Sequence, residues 1–212
     1  MNRLIDTLER KMGRFYITGL MRYICFGMLG VFILELLPIG YGRVTAFLSF
    51  NRELILRGQI WRLVTFIFLP PSSSLIFILF ALYFYYFLGT TLEQRWGSRR
   101  FNLYYLFGIL GGILGGFLFG YNTNTYLNMS LFLVFAFLYP DYQIMLFFIL
   151  PVKMKYIALV DAALLLYSFI MGSWPMRGCM ILSMLPLFMF FGGTMLAEGK
   201  RIIRRIRYKL GK

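Results

Sequence analysis

Apolar runs of about 18 to 22 residues recur along the chain, separated by short polar stretches that are mostly basic. As a helix, a run of that length is long enough to cross the hydrocarbon core of a bilayer. The pattern predicts six spans, over about 22–38, 72–90, 101–120, 125–139, 155–172 and 177–198. The connection 39–71 is long, and its apolar content is too high for a solvated loop. A charged turn fills 91–100, and a polar link, YNTNT, follows the third span. The segment 143–151 is apolar but too short to span as a helix. The fold class this predicts is an all-α integral membrane protein, a bundle of six transmembrane helices.

Two shorter segments flank the membrane domain of 21–199. In 1–20, Ile5, Leu8, Met12 and Phe15 recur at three- and four-residue spacing among Arg3, Arg10, Lys11 and Arg14. That spacing puts the apolar residues on one face, so a basic amphipathic helix on an anionic membrane surface is expected. The tail, 200–212, holds seven basic residues in 13 and suits anionic lipid or a docking partner. No cleavable signal peptide is expected, because the chain opens on a charged segment and no small-residue cleavage site follows the first apolar run.

Composition agrees with a membrane protein. Hydrophobic residues make up 60% and charged residues 14% of the 212, far from the balance of a soluble domain. The net charge of +14 does not point to nucleic acid, because the basic residues sit at the ends of apolar runs. With both termini cytoplasmic, 17 Lys and Arg fall inside; Arg43, Arg52, Arg57, Arg62 and Arg177 fall outside. The positive-inside rule therefore predicts an N-in, C-in topology. Cys25 and Cys179 then lie at opposite faces, too far apart for a disulfide, and act as small hydrophobes.

Glycine and charge mark the segment LGTTLEQRWGSRRFNLYYLFGILGGILGG. Gly108, Gly111, Gly112, Gly115 and Gly116 share one face of the third span, where small residues let helix backbones approach closely. That span is expected to be central, with oligomerisation through the glycine face as the alternative. Glu93 is expected to pair with Arg99 or Arg100 and fix the turn, because carboxylate and guanidinium match bidentately.

Four segments in order resemble the rhomboid superfamily, which comprises intramembrane proteases, inactive rhomboids and derlins. They are GQIWRLVTFIFLP with Trp61–Arg62, the glycine segment above with Glu93, Gly97, Arg99 and Arg100, YPDYQIMLFFILPVKMKY, and FFGGTMLAEG with Gly192 and Gly193. The resemblance implies a serine–histidine dyad in active members, with serine in a Gly–x–Ser–Gly motif opening the fourth span and histidine in the sixth. Serine needs such a base to become nucleophilic. Here the serine position falls on Thr125 or Tyr126 and the histidine position on Phe190. The supporting His and Asn of the second span fall near Phe77 and Ala81. The chain contains no histidine at all. Ser130 lacks glycine neighbours, and Lys153 and Lys155 lie on the cytoplasmic side, away from it. The sequon at Asn128 lies within a span.

A catalytically inactive rhomboid-like protein is therefore expected, binding transmembrane segments of client proteins and affecting their stability or delivery to a membrane protease or other partner. Lipids are the other expected partners, and no metal, cofactor or nucleic acid is expected. The alternatives are a hydrolase with a non-standard site and a small transporter; the short length and absence of repeats weigh against the latter. A bacterial cell membrane is the expected location, with the endoplasmic reticulum as the alternative. Glu35 and Asp161 are the acidic residues inside spans, and such groups face the bundle interior. An arginine of the long loop is the expected partner of Glu35. For Asp161 the expectation is a helix-packing hydrogen bond, the carboxyl protonated or paired with a span-end base, with a contact to a substrate helix or an ion as the functional alternative. Trp61 and Arg62 are read either as an outer-leaflet wedge or as interfacial anchors.

Overall fold

The computed structural model describes residues 3–11, 13, 16–38, 42–71, 74–120, 122–146 and 150–192. Three helices are long and apolar enough to cross a membrane: α6 (Leu75–Trp96), α7 (Ser98–Phe119) and α9 (Met154–Met171). At 22 residues, α6 and α7 each run about 33 Å, close to the roughly 30 Å of a hydrocarbon core. A fourth candidate is broken. Helix α10 (Trp174–Ser183) continues as α11 (Leu185–Gly192) across a 43° bend. Pro186 accounts for the break, since it has no N–H to give Leu182 and its ring crowds that carbonyl.

The first predicted span is the 17-residue α2 (Leu20–Leu36). The fourth is α8 (Thr125–Leu138), whose 14 residues rise only about 21 Å. Helix α8 survives at this length because it is enclosed, with nine of its residues buried. Burial ranks the longer helices by position. Half of the α7 window, 50%, is buried against 28% for α6 and 11% for α9, so α7 is interior and α9 peripheral.

The charged turn differs from the ten-residue loop expected over 91–100. Both sides of it are helical, and α6 passes into α7 through Gly97 alone. Gly97 has φ 83°, a backbone conformation that only glycine takes without strain. In the region of 143–151, β1 (Gln143–Leu146) runs antiparallel to β2 (Leu150–Lys153), with Gln143 opposite Lys153. Between α2 and α6 the long connection folds into α3 (Arg43–Leu48), α4 (Arg52–Leu56), α5 (Arg62–Thr65) and a 3-10 turn (Phe66–Phe68).

The N-terminal helix α1 (Arg3–Lys11) forms and is tied to the bundle. Arg100 at the start of α7 donates to Asp6 at 2.8 Å and lies 3.8 Å from Glu9. Arg99 sits over the ring of Tyr16. Glu93 therefore does not pair with either arginine. Its carboxylate accepts from the Gly19 backbone N–H at 2.8 Å and from the Ser98 hydroxyl. The reason is geometric. The arginines occupy the first turn of α7, Arg100 reaching α1 and Arg99 reaching Tyr16, while Glu93, on the last turn of α6, points inward and is 9% exposed.

The glycine face of α7 is filled from within the chain. A side chain at Gly111 would strike the Leu182 carbonyl, and one at Gly115 would press on the Cys179 backbone. Gly108 receives Leu127, Gly112 receives the Asn122 amide and Gly116 receives the Phe50 ring. Gly192 meets nothing within 4 Å among the described residues, and Gly193 lies outside them. Glycines that the spacing did not single out pack as closely: Gly27 against Phe68, Gly89 against Met21 and Gly178 against Phe119.

Candidate functional site

Two regions carry polar groups at positions that matter for function. The first lies at the Asn124 end of the bundle, above the short α8. Glu35, at the end of α2, caps α3. Its Oε1 accepts from the Gly42 N–H at 2.7 Å and the Thr45 hydroxyl at 2.8 Å, and its Oε2 from the Thr45 N–H at 2.9 Å. The partner of Glu35 is thus a helix N-terminus, not a loop arginine, because oriented backbone donors and the positive dipole end suit a carboxylate.

Arg62 serves the other end of α3. It is 4% exposed and donates to the carbonyls of Ala46 and Ser49 at 2.8 and 2.7 Å, and to Gln59 at 2.8 Å. A guanidinium suits this place because it offers several donors to the unpaired carbonyls of a helix C-terminus. Trp61, half-exposed, stacks on Phe47 at 5.2 Å. The Trp61–Arg62 pair therefore splits into an outward ring and a buried clamp. Asn124 locks this cap to α8 by donating to the carbonyls of Ile67 and Leu69 at 3.0 and 2.9 Å.

Beside that lock is an open cavity of about 490 Å³ lined by Thr45, Ser49, Pro70, Thr123, Asn124 and Thr125, among others. Thr125 is exposed and exchanges a hydrogen bond with Thr123 at 2.9 Å, whereas Tyr126 is buried. The α10 residues at this level are Cys179 and Ser183, 3.8 Å apart, with Cys179 3.9 Å from Asn122. Both cysteines are free and buried.

Phe190 lies elsewhere. It packs edge-on against Tyr104 at 5.4 Å, and its neighbour Phe191 contacts Trp96 and Phe137. Phe137 is 12 residues along α8 from Thr125, about 18 Å. The structure therefore does not bring Thr125 or Tyr126 together with Phe190. The α10 positions beside the start of α8 are Cys179 and Ser183. A signal for this existed in the sequence. Gly111 and Gly115, and Cys179 and Ser183, share the four-residue spacing of two helices that meet closely.

Between these levels the bundle interior holds satisfied polar pairs. The Tyr104 hydroxyl donates to Ser130 at 2.9 Å, and Ser130 donates to the Leu127 carbonyl at 2.7 Å. Ser130 is thus engaged on both sides without a base. Asn128 is 2% exposed and lies 3.5 Å from the Tyr105 hydroxyl, which is incompatible with glycosylation. Phe77 faces outward on α6, 55% exposed, and Ala81 is half-buried.

The second region is the side between α6 and α9, which do not form a packed pair. Asp161 stands on α9 within electrostatic reach of the Tyr85 hydroxyl of α6. Its Oδ2 is buried and no donor reaches it among the described residues. A cavity of about 250 Å³ lies between α6 and β1, lined by Phe80, Tyr83, Phe84 and Phe87 of α6 and by Tyr142–Met145. The span-end bases that sequence reasoning offered to Asp161 are used otherwise. Lys155 and Lys153 pair with Asp141 at 3.1 and 3.7 Å. The Lys155 ammonium beside it holds the Asp141 carboxyl below its ordinary value.

These features define a polytopic helical membrane protein with a short enclosed helix under a capped, polar end. A family model for the Rhomboid domain matches residues 57–177, more than half of the chain. The protein belongs to the rhomboid family and is an integral membrane protein. The match takes in Trp61–Arg62, the Gly97 junction, the glycine face of α7 and Asp161. No curated protein matches the chain.

Proposed function

We propose that this protein is a catalytically inactive member of the rhomboid family that receives transmembrane segments of other membrane proteins. One observation carries the reading: a chain that belongs to a family of serine–histidine proteases contains no histidine. Without an imidazole the family's base has no substitute near the start of α8. The side chains there are Thr123, Asn124, Thr125, Cys179 and Ser183, and none of them is a base near neutral pH.

The frame remains suited to holding a helix. Helix α9 buries little of its own surface and forms no extensive contact with α6, and the aromatic cavity beside α6 supplies contact area. A client entering there would be shielded from lipid on one side and held without being cut. Its release to a membrane protease or another partner then depends on that partner. The positive-inside count supports a topology with both termini and the Gly97 junction in the cytoplasm.

Two measurements test this. A serine-reactive fluorophosphonate should leave the purified protein unlabelled; labelling lost on changing a single serine would show an enzyme. Photo-crosslinkers at Tyr83 and Leu164, which flank the gap, should capture transmembrane segments in native membranes. Crosslinkers at Trp174 should not, and equal capture at all three positions would remove the α6–α9 gap from the proposal.

A further inference from the structure

A groove of about 400 Å³ runs along the seam between α2 and α6. It shares no residue with the cavity beside Asn124. The two helices run in opposite directions and close the groove at its back. Gly89 lies against Met21, and the Cys25 thiol donates to the Leu82 carbonyl at 3.6 Å. Cys25 and Leu82 are buried and form the floor. The walls are Phe26 and Leu29 of α2 and Leu79 and Tyr83 of α6; Phe26, Leu79 and Tyr83 are each more than half exposed.

One end of the groove is charged. Arg22 lines it there, next to Met21, at the end of the bundle that holds the Gly97 junction. The positive-inside count favours the cytoplasm for that end. The guanidinium of Arg22 has no hydrogen bond or ion pair among the described residues. The arginines of the junction are engaged: Arg95 on Tyr139, Arg99 over Tyr16 and Arg100 on Asp6. Tyr86, one turn from Gly89, lines the groove at the Arg22 end.

The dimensions choose among occupants. From Arg22 to Leu29 the groove extends about 10 Å along α2, which is less than one leaflet of hydrocarbon. Over that length its cross-section is about 40 Å², too narrow for a helix roughly 10 Å across and suited to an extended acyl chain. A cation at the mouth of an apolar slot calls for an amphiphile with an anionic head, and basic pockets between spans on the cytoplasmic side take anionic lipid headgroups. We propose that the α2–α6 groove binds one anionic phospholipid, with Arg22 on the phosphate and an acyl chain laid over Cys25 and Leu82. The proposal does not depend on whether the protein receives client segments.

The test uses the full-length protein in detergent, with phosphatidylglycerol and phosphatidylcholine of identical acyl chains as probes. Native mass spectrometry reads how much of each lipid is retained, and thermal unfolding reads the stabilisation that bound lipid confers. Phosphatidylglycerol should bind about tenfold tighter than phosphatidylcholine, the size of one charge-assisted contact. Arg22→Gln should remove the preference and leave phosphatidylcholine bound as before, which also shows that the variant folds. Arg22→Lys should keep most of the preference. Lys11→Gln, which removes an exposed cation of α1 outside the groove, should leave it intact. A diazirine in the acyl chain of phosphatidylglycerol should label Phe26, Leu29 or Leu79. Equal retention of the two lipids, a preference that survives Arg22→Gln, or one lost equally in Lys11→Gln overturns the proposal. So does labelling spread evenly around the bundle, because the lipid would then be an ordinary neighbour. Capture of a second copy or of residues 193–212 by a photoreactive group at Phe26, in place of lipid, overturns it as well.

Discussion

The two sides of this bundle are built to opposite rules. Helices α7 and α10 meet backbone to backbone through Gly111 and Gly115, the most extensive helix contact among the described residues. Helices α6 and α9 form no extensive contact, and Oδ2 of Asp161 on α9 has no partner among the described residues. In a membrane, where lipid is as apolar as leucine, close packing is what holds helices together. A seam made of glycine is therefore a fixed seam, and a flank made of large outward side chains around one acid is an open one. The difference teaches which side of the molecule can admit another helix without unfolding.

The comparison breaks most sharply at Gly111. Gly111→Val should destabilise the protein by about 3 kcal/mol, because the obstacle is the Leu182 carbonyl and backbone cannot swing aside. Unfolding in mixed micelles measures this, with Gly30→Ala as the control, since nothing lies within 4 Å of Gly30. A Gly111→Val protein as stable as the parent would show that the seam is not rigid.

A smaller loss, about 2 kcal/mol, is expected from Arg62→Ala, which removes charged hydrogen bonds to the C-terminal carbonyls of α3. Amide exchange should rise in α3 and leave α7 unchanged. If protection in α7 fell in parallel, the cap and the seam would be one cooperative unit.

Without any substitution, α9 amides should exchange faster than α7 amides, because α9 has few buried contacts to oppose local opening. Equal protection in the two helices would contradict the contrast drawn here.

The smallest effect concerns the hairpin at the foot of the open flank. Asp141 is exposed, and its carboxyl is held below its ordinary value by Lys155 and Lys153. A group lowered in the folded state stabilises above its unfolded value and loses that contribution as pH falls through the folded one. Loosening of the hairpin should therefore set in only below about pH 4 and be absent in Asp141→Asn. The carboxyl carbon shift of Asp141 reports it directly, and a midpoint at or above the ordinary value would exclude the lysine pairing.

Much of the frame was legible in the sequence. Apolar runs located α2, α6, α7, α8 and α9 closely, since a helix in lipid must satisfy its own backbone and be apolar over its length. The glycine repeat named the close-packing face of α7. What it did not reveal were partners. Glu93 and Arg100 lie seven residues apart and look like a pair, yet each binds a segment some 74 to 94 residues away. Glu35 found a helix N-terminus instead of an arginine. Phe190 and Thr125 took corresponding places in a family pattern but have different surroundings, Phe190 against Tyr104 and Thr125 beside Thr123. Counting from one glycine pair carried no information about which turn of the last span meets the start of α8.

The sequence by itself determined a membrane protein with rhomboid-like segments and no histidine, because hydropathy, spacing and residue type are local properties of the chain. Only the tertiary structure decided that α8 is enclosed, that the cap hangs on Glu35 and Arg62, and that Glu93 and Arg100 bind different segments. Which groups meet depends on how helices far apart in the chain pack, and charge satisfaction is a property of that packing.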